Sequence, residues 1–313
     1  MDAIDTWLRT YPSSPVVLDV LGTLDPGEIR ARAFELEPDG VEVFAFAVSV
    51  GALFGVRRRD GSRVALKVNT QFPDPAYFVD VQRIQDALRA AGFPAPRPIR
   101  ALGTVTVDEW LDDGAFRDAH HPDVRRAMAE TLFRLVQLAT ASGIRPRRPF
   151  LRPERGVWPK PHNALFDFEA TAAGAEWIDE IGSRALLPRV GREVVGHADW
   201  ASKHVRFDDD LRPTAVYDWD LNTETEPVVA GTAAGSFVYT EELAEPVARW
   251  PLPEESLAFL DDYERARGAA FTREERRAAE AAAVYLIAYA ARCHHAFGAD
   301  PREVNLEAFA ELL

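Results

Sequence analysis

Between residues 108 and 114 the hydrophobic pattern of this 313-residue chain changes its period, and that change limits the folds open to it. Before it, β-branched and aromatic residues run in short stretches: Val43–Val50, Leu53–Arg59 and Arg63–Asn69, with the turn Arg59-Asp60-Gly61-Ser62 before the third. Asp-Gly beside such runs is a strong hairpin signal, so they predict a three-stranded antiparallel meander. Ile99–Leu102 and Thr104–Leu111 predict two further strands. One helix interrupts the series. In Val79–Ala91, the residues Val81, Ile84, Leu88 and Ala91 form one apolar stripe, Gly92 ends it, and Pro94, Pro96 and Pro98 prevent its continuation.

After residue 112 the period is helical. Pro122–Ser142 places Val124, Met128, Leu132, Leu135 and Ala139 on one face, and Pro253–Arg267 stops at Gly268. A further helix opens with the capping box Thr272-x-x-Glu275 and runs to about Phe297. Among these helices Val205–Phe207 and Thr214–Tyr217 predict one β-hairpin around an acidic turn. Residues 1–35 give only weak signals, the short apolar run Val16–Leu21 and a helical turn or two at Pro26–Phe34. The expected fold is α+β. Residues 1–110 form a small antiparallel β lobe with one helix, and residues 111–313 form a larger, mostly helical lobe.

Fifty acidic residues against 36 basic ones leave a net charge of −14. A chain so acidic repels phosphate backbones, which argues against a nucleic-acid partner and tilts toward cationic small molecules. The lone Cys293 cannot close an internal disulfide, so a reducing, cytoplasmic setting is expected. Cys293-His294-His295 has no second ligand cluster and reads as packing. Met1-Asp2-Ala3-Ile4-Asp5 has neither the basic nor the apolar region of a signal peptide, and no run of 18 apolar residues predicts a membrane span.

Three segments carry chemistry. Lysine occurs only at positions 67, 160 and 203. Lys67 stands in the apolar strand Val64-Ala65-Leu66-Lys67-Val68, where an ammonium group is costly unless it meets an anion or snorkels to the strand edge. His197-Ala198-Asp199-Trp200-Ala201-Ser202-Lys203-His204 keeps the spacing of the phosphotransfer loop H-x-D-x-x-x-x-N, with His204 in the place of asparagine. In Tyr217-Asp218-Trp219-Asp220 the carboxylates are hard oxygen donors suited to Mg²⁺. Taken singly, each segment is more often structural. Together they stand in the order strand lysine, loop aspartate, hairpin, metal aspartate.

Over residues 40–297 that order resembles the aminoglycoside phosphotransferase branch of the kinase-like enzymes, which includes choline and macrolide kinases. The resemblance implies a protein-kinase-like fold, ATP or GTP as donor, Mg²⁺, and a small-molecule hydroxyl acceptor, with antibiotic resistance an open role. It implies that Lys67 contacts the nucleotide phosphates and that Asp199, in its loop with His197, is the base. Asp218 would be the principal metal ligand, with His204 and Asp220 as lesser candidates. Val107–Leu111 resembles the hinge, whose backbone near Glu109 and Trp110 would bond the nucleobase. The turn Ser49-Val50-Gly51 stands in for a glycine-rich loop. Asp80 would substitute for the missing helix glutamate as the partner of Lys67. Trp158, His162 and Asp167 would line the acceptor pocket.

Imidazole suits softer metals than Mg²⁺, so His204 departs from the pattern in a way that bears on activity. The alternatives are a nucleotide-binding pseudokinase or sensor, and a hydrolase or metalloprotein using His197, Asp199 and His204 as ligands. A monomer or homodimer is expected.

Overall fold

A computed structural model describes residues 2–70, 74–146, 152–153, 155–163, 165–186 and 188–313. The chain divides into two compact units, one of Met1–Asp86, Pro96–Leu111 and His162–Leu165, the other of Ala87–Ala95, Asp112–Pro161 and Phe166–Leu313.

The first unit opens with three short helices, α1 (Ala3–Thr10), α2 (Pro15–Leu21) and α3 (Pro26–Leu36). Their starts follow local chemistry. Asp2 accepts from the Ile4 N–H and Asp25 from the Glu28 N–H, while proline opens α2 and α3. Helices this short have too few turns to show a period, which is why residues 1–35 carry weak signals in the sequence.

The strands β1 (Gly40–Val48), β2 (Gly51–Arg58) and β3 (Arg63–Asn69) form the expected meander, followed by α4 (Pro75–Ala90), β4 (Pro98–Leu102) and β5 (Val105–Glu109). The sheet order is β1-β2-β3-β5-β4, antiparallel throughout. Its register aligns Phe46, Phe54, Leu66 and Val107 in one cross-strand row. That row belongs to the core with Ile4, Leu8, Val17, Ile29 and Ala33, so α1–α3 cover this face of the sheet.

Side chains alternate across a strand, so Lys67, opposite Thr106, points to the other face. Asp108 shares that face, and its Oδ1 is buried with no hydrogen-bond partner among the described residues. Burial pushes the Asp108 carboxyl up to about 7; the amides of Gln82 and Gln85 and the charge of Lys67 oppose this only in part.

The second unit holds α5 (Pro122–Ala141), α6 (Glu176–Arg184), β6 (Glu193–His197), a 3₁₀ turn at Ser202–His204, β7 (Val205–Phe207), β8 (Pro213–Val216), β9 (Leu221–Thr225), α7 (Glu226–Ala234), α8 (Pro253–Arg267), α9 (Arg273–Ala296) and α10 (Leu306–Phe309). β7 pairs with β8 as expected, and β6 pairs with β9 in a second antiparallel ladder.

α7 is buried on every side. It packs so closely on α9 that a Cβ at Gly231 would stand 2.0 Å from the Ala279 carbonyl oxygen. Its first residue, Glu226, is buried and ion-paired to Arg192 and Arg267, and it accepts from the Tyr263 hydroxyl. A carboxylate there also complements the helix dipole. Among the described residues no helix is long and apolar enough to cross a membrane. The α+β class expected from the sequence is the one the chain adopts.

Asp108 yields a stability prediction. Its folded-state value of about 7 lies above the ~3.9 of an unfolded aspartate, so the folded chain holds this proton more tightly. The stability it contributes is complete below that unfolded value and is lost as pH rises through about 7. Asp108→Asn is expected to stabilise the protein by on the order of 1–4 kcal/mol at pH 8. In denaturant titrations the gain should grow from about pH 4 to about 7 and then level off. A gain that ignores pH contradicts the assignment.

Candidate functional site

The site in the second unit is built on the β6–β9 ladder, whose register runs from Glu193 opposite Thr225 to His197 opposite Leu221. The ladder extends by one more bond, from the Ala198 N–H to the Asp220 carbonyl at 2.7 Å. The segments holding Asp199 and Asp218 therefore leave the same end of one two-stranded sheet. The β7–β8 hairpin between them closes with the Tyr217 N–H on the His204 carbonyl at 2.8 Å.

His197 joins the two segments. It is 1 % exposed. Its Nδ1 accepts from the Asp199 N–H and its Nε2 donates to the Tyr217 carbonyl, each at 3.2 Å. Burial, and then the charge of His204, lower its pKa, so the ring stays neutral as this bonding requires. Both ring nitrogens thus engage the backbone. His197, grouped with the catalytic residues on sequence grounds, is placed to position them instead.

The rest of the loop is stitched to its neighbours. Trp200 Nε1 donates to the Met128 carbonyl on α5, and Ser236 Oγ donates to the Trp200 carbonyl. The Ser202 and Lys203 N–H groups donate to the carbonyls of Phe237 and Tyr239.

Asp199, His204 and Asp218 offer donor atoms that all lie within 4.8 Å of one another. His204 Nδ1 donates to the Asp199 carbonyl at 3.0 Å, and its Nε2 stands 3.4 Å from Asp218 Oδ2. Asp218 reaches this place with φ of 51°, a left-handed conformation that aspartate tolerates better than most residues. Two carboxylates and an imidazole suit a divalent cation. Asp220 stays outside the trio, and its charge acts on His197 instead.

Lys203 Nζ is 3.9 Å from Asp199 Oδ2 and 4.6 Å from the centre of the Tyr239 ring. Burial acts to raise the Asp199 carboxyl, but the charges of Lys203 and His204 more than offset it and hold it below its ordinary value. Tyr239 carries no motif, so sequence reasoning missed it. Only the fold brings 203 and 239 together.

In the first unit, Lys67 lies mid-strand on β3, opposite Thr106. Asp80, expected as its partner, is ion-paired to Arg83 on its own helix. The Lys67 charge acts on the carboxyl of Asp108, which the register places on the same face of the sheet. Ser49 is exposed in the turn between β1 and β2, and its N–H donates to the Gly51 carbonyl at 3.0 Å. A Cβ at Gly51 would meet the Val68 carbonyl oxygen at 2.3 Å, so the turn requires glycine.

The N–H groups of Glu109 and Trp110 donate to the carbonyls of Arg97 and Arg63. They are not the donors that a nucleobase would meet, because the sheet already uses them.

Two of the three residues expected from sequence to line an acceptor pocket make local contacts. Trp158 donates to Asp179 and packs against Phe168, Tyr285 and Tyr289. Asp167 accepts from the Glu169 and Ala170 N–H groups and is exposed. His162 lies in the short segment of the first unit.

A sequence model of the phosphotransferase enzyme family matches residues 47–278. The chain is 27% identical over 186 residues to acyl-CoA dehydrogenase family member 11 of Gallus gallus, which covers 52% of this chain and 23% of that protein. It therefore spans less than a quarter of that relative's length. Among solved structures, amicoumacin kinase hAmiN in complex with AMP-PNP, Ca²⁺ and Ami superimposes with a TM-score of 0.59 at 12% identity, over 91% of this chain and 94% of that one. Choline kinase LicA from Streptococcus pneumoniae gives 0.54 at 11% identity, over 91% and 97%. Macrolide 2'-phosphotransferase type I gives 0.51 at 17%, over 90% and 95%. At these identities the likeness shows the fold.

Removing the His197 ring is the direct test of how the loop is held. His197→Phe removes the ring's bonds to the Asp199 N–H and to the Tyr217 carbonyl. Unfolding titrations should show a loss of about 1–3 kcal/mol. An unchanged midpoint would mean that the imidazole does not anchor the loop.

Proposed function

The chain belongs to the phosphotransferase enzyme family, and from that membership we propose that it transfers the γ-phosphate of ATP or GTP to a hydroxyl of a small molecule, in the cytoplasm. The observation that carries this reading is the convergence of Asp199, His204 and Asp218 at the end of one β-ladder.

In this reading the Asp199 carboxylate takes up the proton of the acceptor hydroxyl as the oxygen attacks. Its lowered pKa keeps it ionised at neutral pH. Lys203 holds the carboxylate from one side, and His197 fixes the backbone that carries it. Asp218 and His204 would hold a divalent cation, Mg²⁺ by the family resemblance, which neutralises phosphate charge when bound. Lys67 supplies a further positive charge for the phosphates, and the Ser49–Gly51 turn supplies backbone for them.

This chemistry is mostly positioning and electrostatic stabilisation, so the groups that orient the base matter as much as the base. The Lys203 ammonium and the Tyr239 ring border Asp199, so the acceptor presents a neutral or anionic group there. A cationic portion, which the net charge of −14 would attract, lies farther from the base.

The amicoumacin, macrolide and choline kinases of similar fold support a small organic acceptor over a protein substrate. The chain also bears on a second reading, a nucleotide sensor without transfer, because His204 stands where the phosphotransfer loop carries asparagine.

One comparison separates the two. Asp199→Asn should lower nucleotide turnover, in the presence of an acceptor panel and either Mg²⁺ or Mn²⁺, by about 10²- to 10⁴-fold with an unchanged circular dichroism spectrum. Equal turnover in the variant removes Asp199 as the base. Tight nucleotide binding with no turnover in either protein establishes the sensor.

A further inference from the structure

The hydrogen bonding of His204 dictates which cation suits it. Nδ1 stands 3.0 Å from the Asp199 main-chain oxygen, which can only accept, so Nδ1 carries the hydrogen. The other ring nitrogen, Nε2, faces Asp218 Oδ2 at 3.4 Å, and donor atoms of Asp199, His204 and Asp218 lie within 4.8 Å of one another. The ring is 7 % exposed, and the Asp218 side chain is 32 % exposed.

A cation with bonds of ~2.1 Å spans a pair of donors at this separation. Asparagine in this position would offer a hard amide oxygen. Imidazole offers nitrogen, which Mg²⁺ and Ca²⁺ bind poorly and first-row transition ions bind well. The Asp199 main-chain oxygen acts behind the ring as an outer partner that fixes its tautomer and its aim.

We infer that His204 and Asp218 form a mixed nitrogen–oxygen centre that selects a first-row transition ion, with Mn²⁺ the representative tested, over Mg²⁺. The inference rests on the proposed function for the purpose of the centre, but its readout is metal ligation and not turnover.

The experiment uses the full, tag-free chain without nucleotide. MnCl₂ is titrated and followed by electron paramagnetic resonance, the bound ion is examined for ¹⁴N coupling by electron spin echo modulation, and Mg²⁺ is added in competition. Wild type should show coupling to one imidazole nitrogen, and Mg²⁺ should displace Mn²⁺ only when present in about tenfold excess or more. His204→Asn should lose the coupling and lower the Mn²⁺-over-Mg²⁺ preference by about tenfold. Asp218→Asn, which keeps the ring, should weaken Mn²⁺ binding and retain the coupling at saturating ion.

Absence of ¹⁴N coupling in wild type overturns the inference even if the variants do not fold. So does an equal preference in wild type and His204→Asn. Coupling with no transfer in any metal would leave this centre standing and remove the phosphotransfer reading. Transfer with Mg²⁺ and no coupling would do the reverse.

Discussion

The imidazole of His197 is the joint on which the second unit's site depends. It accepts from the Asp199 amide and donates to the Tyr217 carbonyl, so one buried ring fixes both the proposed base and the residue before the proposed metal ligand. The arrangement works only with a neutral ring in one tautomer, and deep burial supplies that condition. The strand ending at His197 is itself held closely. A Cβ at Gly196 would stand 2.3 Å from Val229 Cγ1, so the strand lies directly against α7. That helix is in turn pinned by the buried Glu226 and its arginine partners. Rigidity passes from an ion-paired helix to a strand, and from the strand to a loop.

The first unit shows the same economy on its sheet. One face is apolar and covered by α1–α3. The opposite face carries Lys67 beside a carboxyl whose burial favours its neutral form.

Much of this was legible in the sequence, for physical reasons. The meander was marked by β-branched and aromatic runs with Asp-Gly, the hairpin by two short runs around an acidic turn, and α8 and α9 by a terminal glycine and a capping box. Asp199 and His204 stood out because their loop keeps the H-x-D-x-x-x-x-N spacing, and Asp218 because an Asp-x-Asp follows the hairpin. β9 escaped because Leu221-Asn222-Thr223-Glu224-Thr225 has no apolar alternation, and its partner β6 supplies the reason it is a strand. α7 escaped because it is apolar all round and has a glycine at its centre, which is sensible only where α9 passes. That Asp108 shares the face of Lys67 escaped because strand register cannot be read from helix spacing. Trp158 and Asp167 were plausible acceptor residues by composition, yet packing and a local turn claim them.

The central claim is that a nucleotide triphosphate, a divalent cation and the Asp199 carboxylate meet in one place. The most direct test is a crystal structure of the protein with a non-hydrolysable ATP analogue and Mn²⁺. The account predicts that the cation lies between His204 Nε2 and Asp218, and that the terminal phosphate leaves room for an acceptor oxygen about 3–3.5 Å away beside Asp199. A nucleotide bound away from Asp218 would contradict it.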